Sequence, residues 1–224
     1  VLCRLAQVDS VRSLFIEASG MGAIFEAFKT YNNNRDIVEL CGLSLMRLSA
    51  DPICVQLMAS VELLETCSHA IQQFPDNPDI CRSGCTIIAR LAATDAVEQA
   101  IETCICAVIH SLSVVKDDDA IEAVFNAIAE LAKRGPSPRT LIGKRNAIHL
   151  ITTALDQSID SLPVQIAGAK ALFNLLQSVD NAIAMRAPFT VTLPDGAAVC
   201  KDGVEVLDVA LRVHKDSADL QQYC

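Results

Sequence analysis

One motif recurs along the chain and constrains its fold more than any other feature. LCGLSLMRLSA (40–50), GCTIIARLAA (84–93), VFNAIAELAK (124–133) and AKALFNLLQS (169–178) each carry small or apolar residues, then one polar residue, then Leu. The opening VLCRLAQ reads as the tail of another copy. Taking the Leu as an anchor gives Leu5, Leu48, Leu91, Leu131 and Leu175, separated by 43, 43, 40 and 44 residues. Self-similarity at this period predicts stacked helical units, each unable to bury its apolar face alone. Eleven residues before the complete anchors stand Ile37, Ile80, Ala120 and Val164. Seven before come Cys41, Gly84, Val124 and Gly168, and three before come Leu45, Ile88, Ile128 and Leu172. These offsets trace one face of a helix. Asp36, Asp79, Asp119 and Pro163, twelve before, read as helix-start residues.

Two further helical segments fall between anchors. A short one is read in VRSLFIEAS (11–19), ICVQLMAS (53–60), AVEQAIET (96–103) and PRTLIGKR (138–145). A more apolar one follows in GAIFEAFKTY (22–31), VELLETCSHAIQQF (61–74), CICAVIHSLSVV (104–115) and AIHLITTALDQSI (147–159). The C-terminal DGVEVLDVALRVHKDSADLQQYC reads as another such helix and the start of one more anchor helix, whose anchor would be residue 231. The expected fold is all-α: one domain over 1–224 of three-helix units, four complete and two partial. The sequence starts without Met and begins and ends inside helices, so it reads as a fragment of a longer array.

The run GAIFEAFKTYNNNRDIVELCGLSLMRLSA resembles the armadillo repeat, and AIHLITTALDQSIDSLPVQIAGAKALFNLLQS resembles it more closely, including Asn174 before the final leucines. The resemblance implies a right-handed α-solenoid whose third helices line a concave groove that binds other proteins. It does not name a partner, because one superhelix hosts many binding roles.

From Leu175 to the implied anchor is 56 residues, about 13 more than in the other units. The excess is PFTVTLPDGAAVCKDG (188–203), where FTVTL and AAVCK flank a Pro-Asp-Gly turn and read as a short β-hairpin. It is either a tolerated surface loop or a docking element presenting Phe189, Val191, Leu193 and Asp195.

Composition narrows the function classes. The net charge is −9 with pI near 4.8, which opposes duplex nucleic-acid binding. The chain is 51% hydrophobic with mean hydropathy +0.35, too apolar for disorder. It has neither a signal-peptide pattern nor the roughly 18 uninterrupted apolar residues of a membrane span. Most of the ten cysteines sit inside apolar helical runs and read as small buried hydrophobes kept reduced in the cytoplasm. His69, His110, His149 and His214 form no ladder. A phosphate loop, a nucleophile elbow and a zinc helix motif are all lacking. A non-enzymatic chain without cofactor or metal is expected.

The resemblance points to candidate contact positions on the third helices. One before each anchor stand Arg47, Arg90, Glu130 and Asn174; five before stand Leu43, Thr86, Asn126 and Lys170. Importin-α carries a Trp and Asn array at such sites to grip basic peptides. This sequence has no Trp, and only Asn174 matches. The expected groove residues are Arg47, Arg82, Arg90, Asn126, Glu130, Lys170 and Asn174. The arginines would suit an acidic or extended partner segment through charge-assisted hydrogen bonds; alternatively they pair with nearby acids such as Asp51 and Glu39. The expected role is a scaffold or adaptor, by likeness to armadillo chains of cytoskeletal and ciliary proteins and of leucine-rich-repeat kinases (FPDNPDICRSGCTIIARLA is of that style). A second reading is the helical regulatory arm of a multidomain enzyme or exchange factor. A third, a metal or redox module, depends on exposed low-pKa cysteines that the sequence does not support.

Overall fold

A computed structural model describes residues 20–192 and 198–224. The expected helix 11–19, the anchor Leu5 and the hairpin residues Leu193 and Asp195 lie outside the described residues, as does the side chain of Val191.

The chain is all-α apart from one hairpin, with thirteen helices among the described residues. In order they are α1 (Gly20–Thr30), α2 (Arg35–Leu48), α3 (Pro52–Met58), α4 (Val61–Gln73), α5 (Pro78–Leu91), α6 (Ala96–Leu112), α7 (Asp118–Lys133), α8 (Pro136–Lys144), α9 (Ala147–Gln157), α10 (Leu162–Leu175) and α11 (Val179–Met185). The strands β1 (Phe189–Thr192) and β2 (Ala198–Lys201) follow, then α12 (Gly203–Val213) and α13 (Ala218–Tyr223).

The motif helices begin on caps that share one register. Fourteen residues before each anchor stand Asn34, Asn77, Asp117, Ser161 and, for the implied anchor, Ser217; each is the N-cap of its helix. Asn34 accepts from the Ile37 N–H, Asn77 from Asp79 and Ile80, Asp117 from Ala120 and Ser217 from Leu220. The caps therefore stand two residues before the positions the sequence suggested, and the helices start one residue before them. Asp36, Asp79 and Asp119 instead occupy the first turn, where a carboxylate is favoured by the helix dipole.

The periodic face is the core. Leu48, Leu91, Leu131 and Leu175 are fully buried, and Leu45, Ile88, Ile128 and Leu172 are buried beside them. In two units the residue seven before the anchor is glycine for a steric reason. A Cβ on Gly84 would stand 2.8 Å from Ile71 Cδ1 on α4, and one on Gly168 would stand 2.5 Å from Leu155 Cδ2 on α9. Glycine there lets neighbouring helices approach closely, at the entropic cost of an unconstrained unfolded residue.

Motif helices pack side by side in chain order: α2 on α5, α5 on α7, α7 on α10 and α10 on α13. Behind them α1, α4, α6, α9 and α12 pack in the same order. Most buried side chains join one continuous core, with a small separate cluster of Ala169, Ala210 and Leu220.

One unit departs from the expected three segments. AVEQAIET and CICAVIHSLSVV form a single continuous helix, α6. Elsewhere the two segments are separated by a local device. Ser60 caps α4 through the Leu63 N–H, and Asn146 adopts a left-handed conformation (φ 61°) before α9. Around Thr103 and Cys104 there is no Gly or Pro, and the intrahelical ladder runs through.

Candidate functional site: the hollows along the motif helices

Two adjoining hollows open along the motif helices. One, of about 680 Å³, lies over α5 and α7 and is bordered by Arg82, Thr86, Arg90, Asp119, Glu122 and Glu130, with Asn126. The other, of about 460 Å³, lies over α7, α10 and α13 and is bordered by Glu122, Asn126, Lys170, Asp219 and Tyr223 together with Leu162, Pro163 and Ile166. Glu122 and Asn126, one turn apart on α7, belong to both.

Five of the seven expected groove residues therefore meet here: Arg82, Arg90, Asn126, Glu130 and Lys170. Arg47 is half-buried on the last turn of α2, outside the residues bordering either hollow. Asn174 is buried, 7% exposed, beneath the surface expected to display it.

The residue before the anchor leucine has a structural task the sequence did not reveal. Arg90 Nη1 donates to the Met46 carbonyl oxygen on the preceding motif helix and to Ser49 Oγ at 2.7 Å. Asn174 Nδ2 donates to the Ala129 carbonyl oxygen at 3.2 Å. Met46 and Ala129 both stand two residues before their own anchors. The same register position thus ties one helix to the same carbonyl of the helix before it, in two places. The Met46 carbonyl lies in the last turn of its helix, where carbonyls lack intrahelical backbone donors, and it also accepts from Ser49 Oγ at 2.8 Å.

Glu130, at the equivalent place on α7, cannot donate and accepts instead. It receives Lys133 at 2.8 Å and Lys170, from α10, at 2.9 Å. Burial alone would raise its carboxyl, but the hydrogen bonds from Lys133 and Lys170 outweigh that and hold it below the ordinary glutamate value. Arg82 pairs with Asp79 in its own helix and with Asp119 of α7 at 3.6 Å. The acids named in the sequence reading make hydrogen bonds of their own. Glu39 accepts from Asn77 Nδ2 at 2.8 Å, and Asp51 caps α3 through the Ile53 N–H at 2.8 Å.

The hairpin is present with antiparallel register Phe189↔Lys201 to Thr192↔Ala198. Its base is built into the fold. Phe189 is buried, 8% exposed, and meets the His149 ring edge-on at 5.1 Å, and Lys201 forms an ion pair with Asp156 on α9. Phe189 is thus a core residue, which corrects its reading as a docking side chain.

Cys54, Cys67, Cys81, Cys85 and Cys104 are buried. Desolvation pushes Cys81 and Cys104 up to about 11, and raises Cys67 and Cys85 well above the ordinary thiol value. No group of three or more His, Cys, Asp or Glu among the described residues is arranged to hold a metal ion. No helix among them is long and apolar enough to cross a membrane.

No protein-family model matches the chain, and no curated protein matches it. Among solved structures it is similar to two crystal structures, each titled an engineered protein of the Northeast Structural Genomics Consortium. One aligns over 99% of this chain and 85% of its own, with TM-score 0.73 at 15% identity. The other covers 99% and 83%, with TM-score 0.67 at 17% identity. At such identities the likeness is one of fold alone, and the chain is an all-α protein of that fold.

Proposed function

We propose that the chain is an armadillo-type α-solenoid acting as a non-enzymatic scaffold, which binds an extended segment of another protein along the motif helices. The observation that carries this reading is the pair of adjoining hollows over α5, α7, α10 and α13, joined at Glu122 and Asn126. Helices repeated at one register present similar surfaces at regular intervals, which suits an extended chain better than a compact ligand. The hollows are open and mixed in character, with charged rims and apolar walls, unlike the enclosed apolar pockets that hold small molecules.

The test is proximity capture of partners by the unaltered chain and by a variant whose groove is filled, Thr86→Arg with Asn126→Arg. Ile53→Arg, on the exposed face of α3, serves as the control. Partners retained by the control and lost from the filled groove are the expected result. An unchanged partner set from the filled groove refutes the reading.

A further inference from the structure

The cations bordering both hollows are already engaged. Arg82 is held by Asp79 and Asp119, Arg90 by the Met46 carbonyl and Ser49, and Lys170 by Glu130. The acids are not all so matched. Glu122 and Asp219 have neither an ion-pair nor a hydrogen-bond partner among the described residues, and both border the hollow over α7, α10 and α13. Asp219 lies in the first turn of the short α13, where the helix terminus partly compensates its charge. Glu122 is the fifth residue of α7, beyond the turn over which that compensation acts.

Other groups at this hollow point the same way. The Asn126 amide beside Glu122 is unpartnered among the described residues and can both accept and donate. Tyr223 borders the hollow and packs edge-on against Phe173 at 5.9 Å, and Phe173 is 49% exposed. An aromatic face attracts a cation brought within about 6 Å. Leu162, Pro163 and Ile166 supply an apolar wall for an aliphatic stem.

We propose that this hollow receives a Lys or Arg side chain of the extended partner segment, its cationic head at Glu122 and Asp219 and its stem along Leu162, Pro163 and Ile166. This rests on the groove reading above and reverses the partner charge expected from the arginines. Glu122 and Asp219 stand in the N-terminal parts of their helices, away from the positions before the anchor leucines. At Arg90, Glu130 and Asn174 those positions are occupied by contacts between helices. The acidic balance of the whole chain, −9, steers the same kind of partner toward it.

Three pools of unstructured peptides of equal length test this, with Lys and Arg, Asp and Glu, or Gln and Ser at fixed positions and a photoreactive group in each. They are cross-linked to the whole chain and the sites are mapped by mass spectrometry. The cationic pool is expected to label α7, α10 and α13. That labelling should fall about tenfold in Glu122→Gln with Asp219→Asn, while circular dichroism and melting show the variant folded, and it should weaken with added salt. Cationic labelling indifferent to the double variant overturns the assignment to these two acids. Labelling of the hollow by the acidic or neutral pool, but not the cationic one, overturns the inference and leaves the groove reading standing. Labelling only outside the motif helices overturns both.

Discussion

Arg90 reaches from the end of α5 to the carbonyl oxygen of Met46 in the last turn of α2. Asn174 repeats the contact from α10 to Ala129 on α7. These donors hold successive motif helices in register, so altering them acts on stability before it acts on binding. Asn174→Ala leaves the Ala129 carbonyl without its cross-helix donor and is expected to cost about 1–2 kcal/mol. Urea unfolding measures it, with loss of the transition midpoint at constant slope. Arg90→Glu is expected to lower stability as well, whereas Arg90→Lys recovers part of it. Equal stability of Arg90→Glu and the parent would refute the tie.

Two glycines behave oppositely. A Cβ at Gly168 meets Leu155 and Phe125 within 2.9 Å, so Gly168→Val is expected to destabilise by about 1–3 kcal/mol through overpacking. Nothing lies within 4 Å of a Cβ at Gly22, inside α1, so Gly22→Ala is expected to stabilise by about 0.5–1 kcal/mol. Thermal melting of the two variants should move in opposite directions.

The base of the hairpin carries stability. Phe189→Ala is expected to cost about 3 kcal/mol, because a buried ring and its contact with His149 are lost. Asp156→Asn removes the partner of Lys201, whose side chain is only 22% exposed, and should cost about 2 kcal/mol. Shortening the hairpin beyond its base, between residues 193 and 197, should leave the unfolding midpoint nearly unchanged if the base alone carries this stability.

Glu130 links stability to pH. Its carboxyl is held below the unfolded value, so the folded state binds its proton less readily. Its contribution is fully present above the unfolded glutamate pKa of about 4.3 and is lost as pH falls through the lower folded value. Glu130→Gln should therefore flatten the acid limb of stability against pH and change nothing in its shape between pH of about 6 and 8. An unaltered acid limb would show that the Lys133 and Lys170 contacts do not persist in solution.

Thiol chemistry divides the cysteines by burial. Cys200 is exposed on β2 and should be alkylated rapidly near neutral pH. Cys67, Cys81, Cys85 and Cys104 are buried and held protonated, and they should react only on unfolding. Mass spectrometry after brief labelling distinguishes the two classes.

The sequence by itself determined which residues face the core and where the motif helices lie. Leu48, Leu91, Leu131 and Leu175 are buried at the expected phase, because apolar periodicity reports directly which side of a helix loses water. The hairpin was legible for a similar local reason, in two β-prone runs around a turn. The fused helix α6 could have been read from the lack of any break at Thr103–Cys104, and the caps from polar residues two places before the chosen acids. What the polar residues do was decided only by tertiary structure. Periodicity says that Arg90 and Asn174 leave the core face, but not that a carbonyl of the preceding helix waits within reach. Nor can it say that Arg82 and Lys170 are matched by acids forty or so residues away while Glu122 and Asp219 are not. Hydrogen bonds and ion pairs depend on distances between helices, which the packing of the whole core sets and the periodicity of one segment does not record.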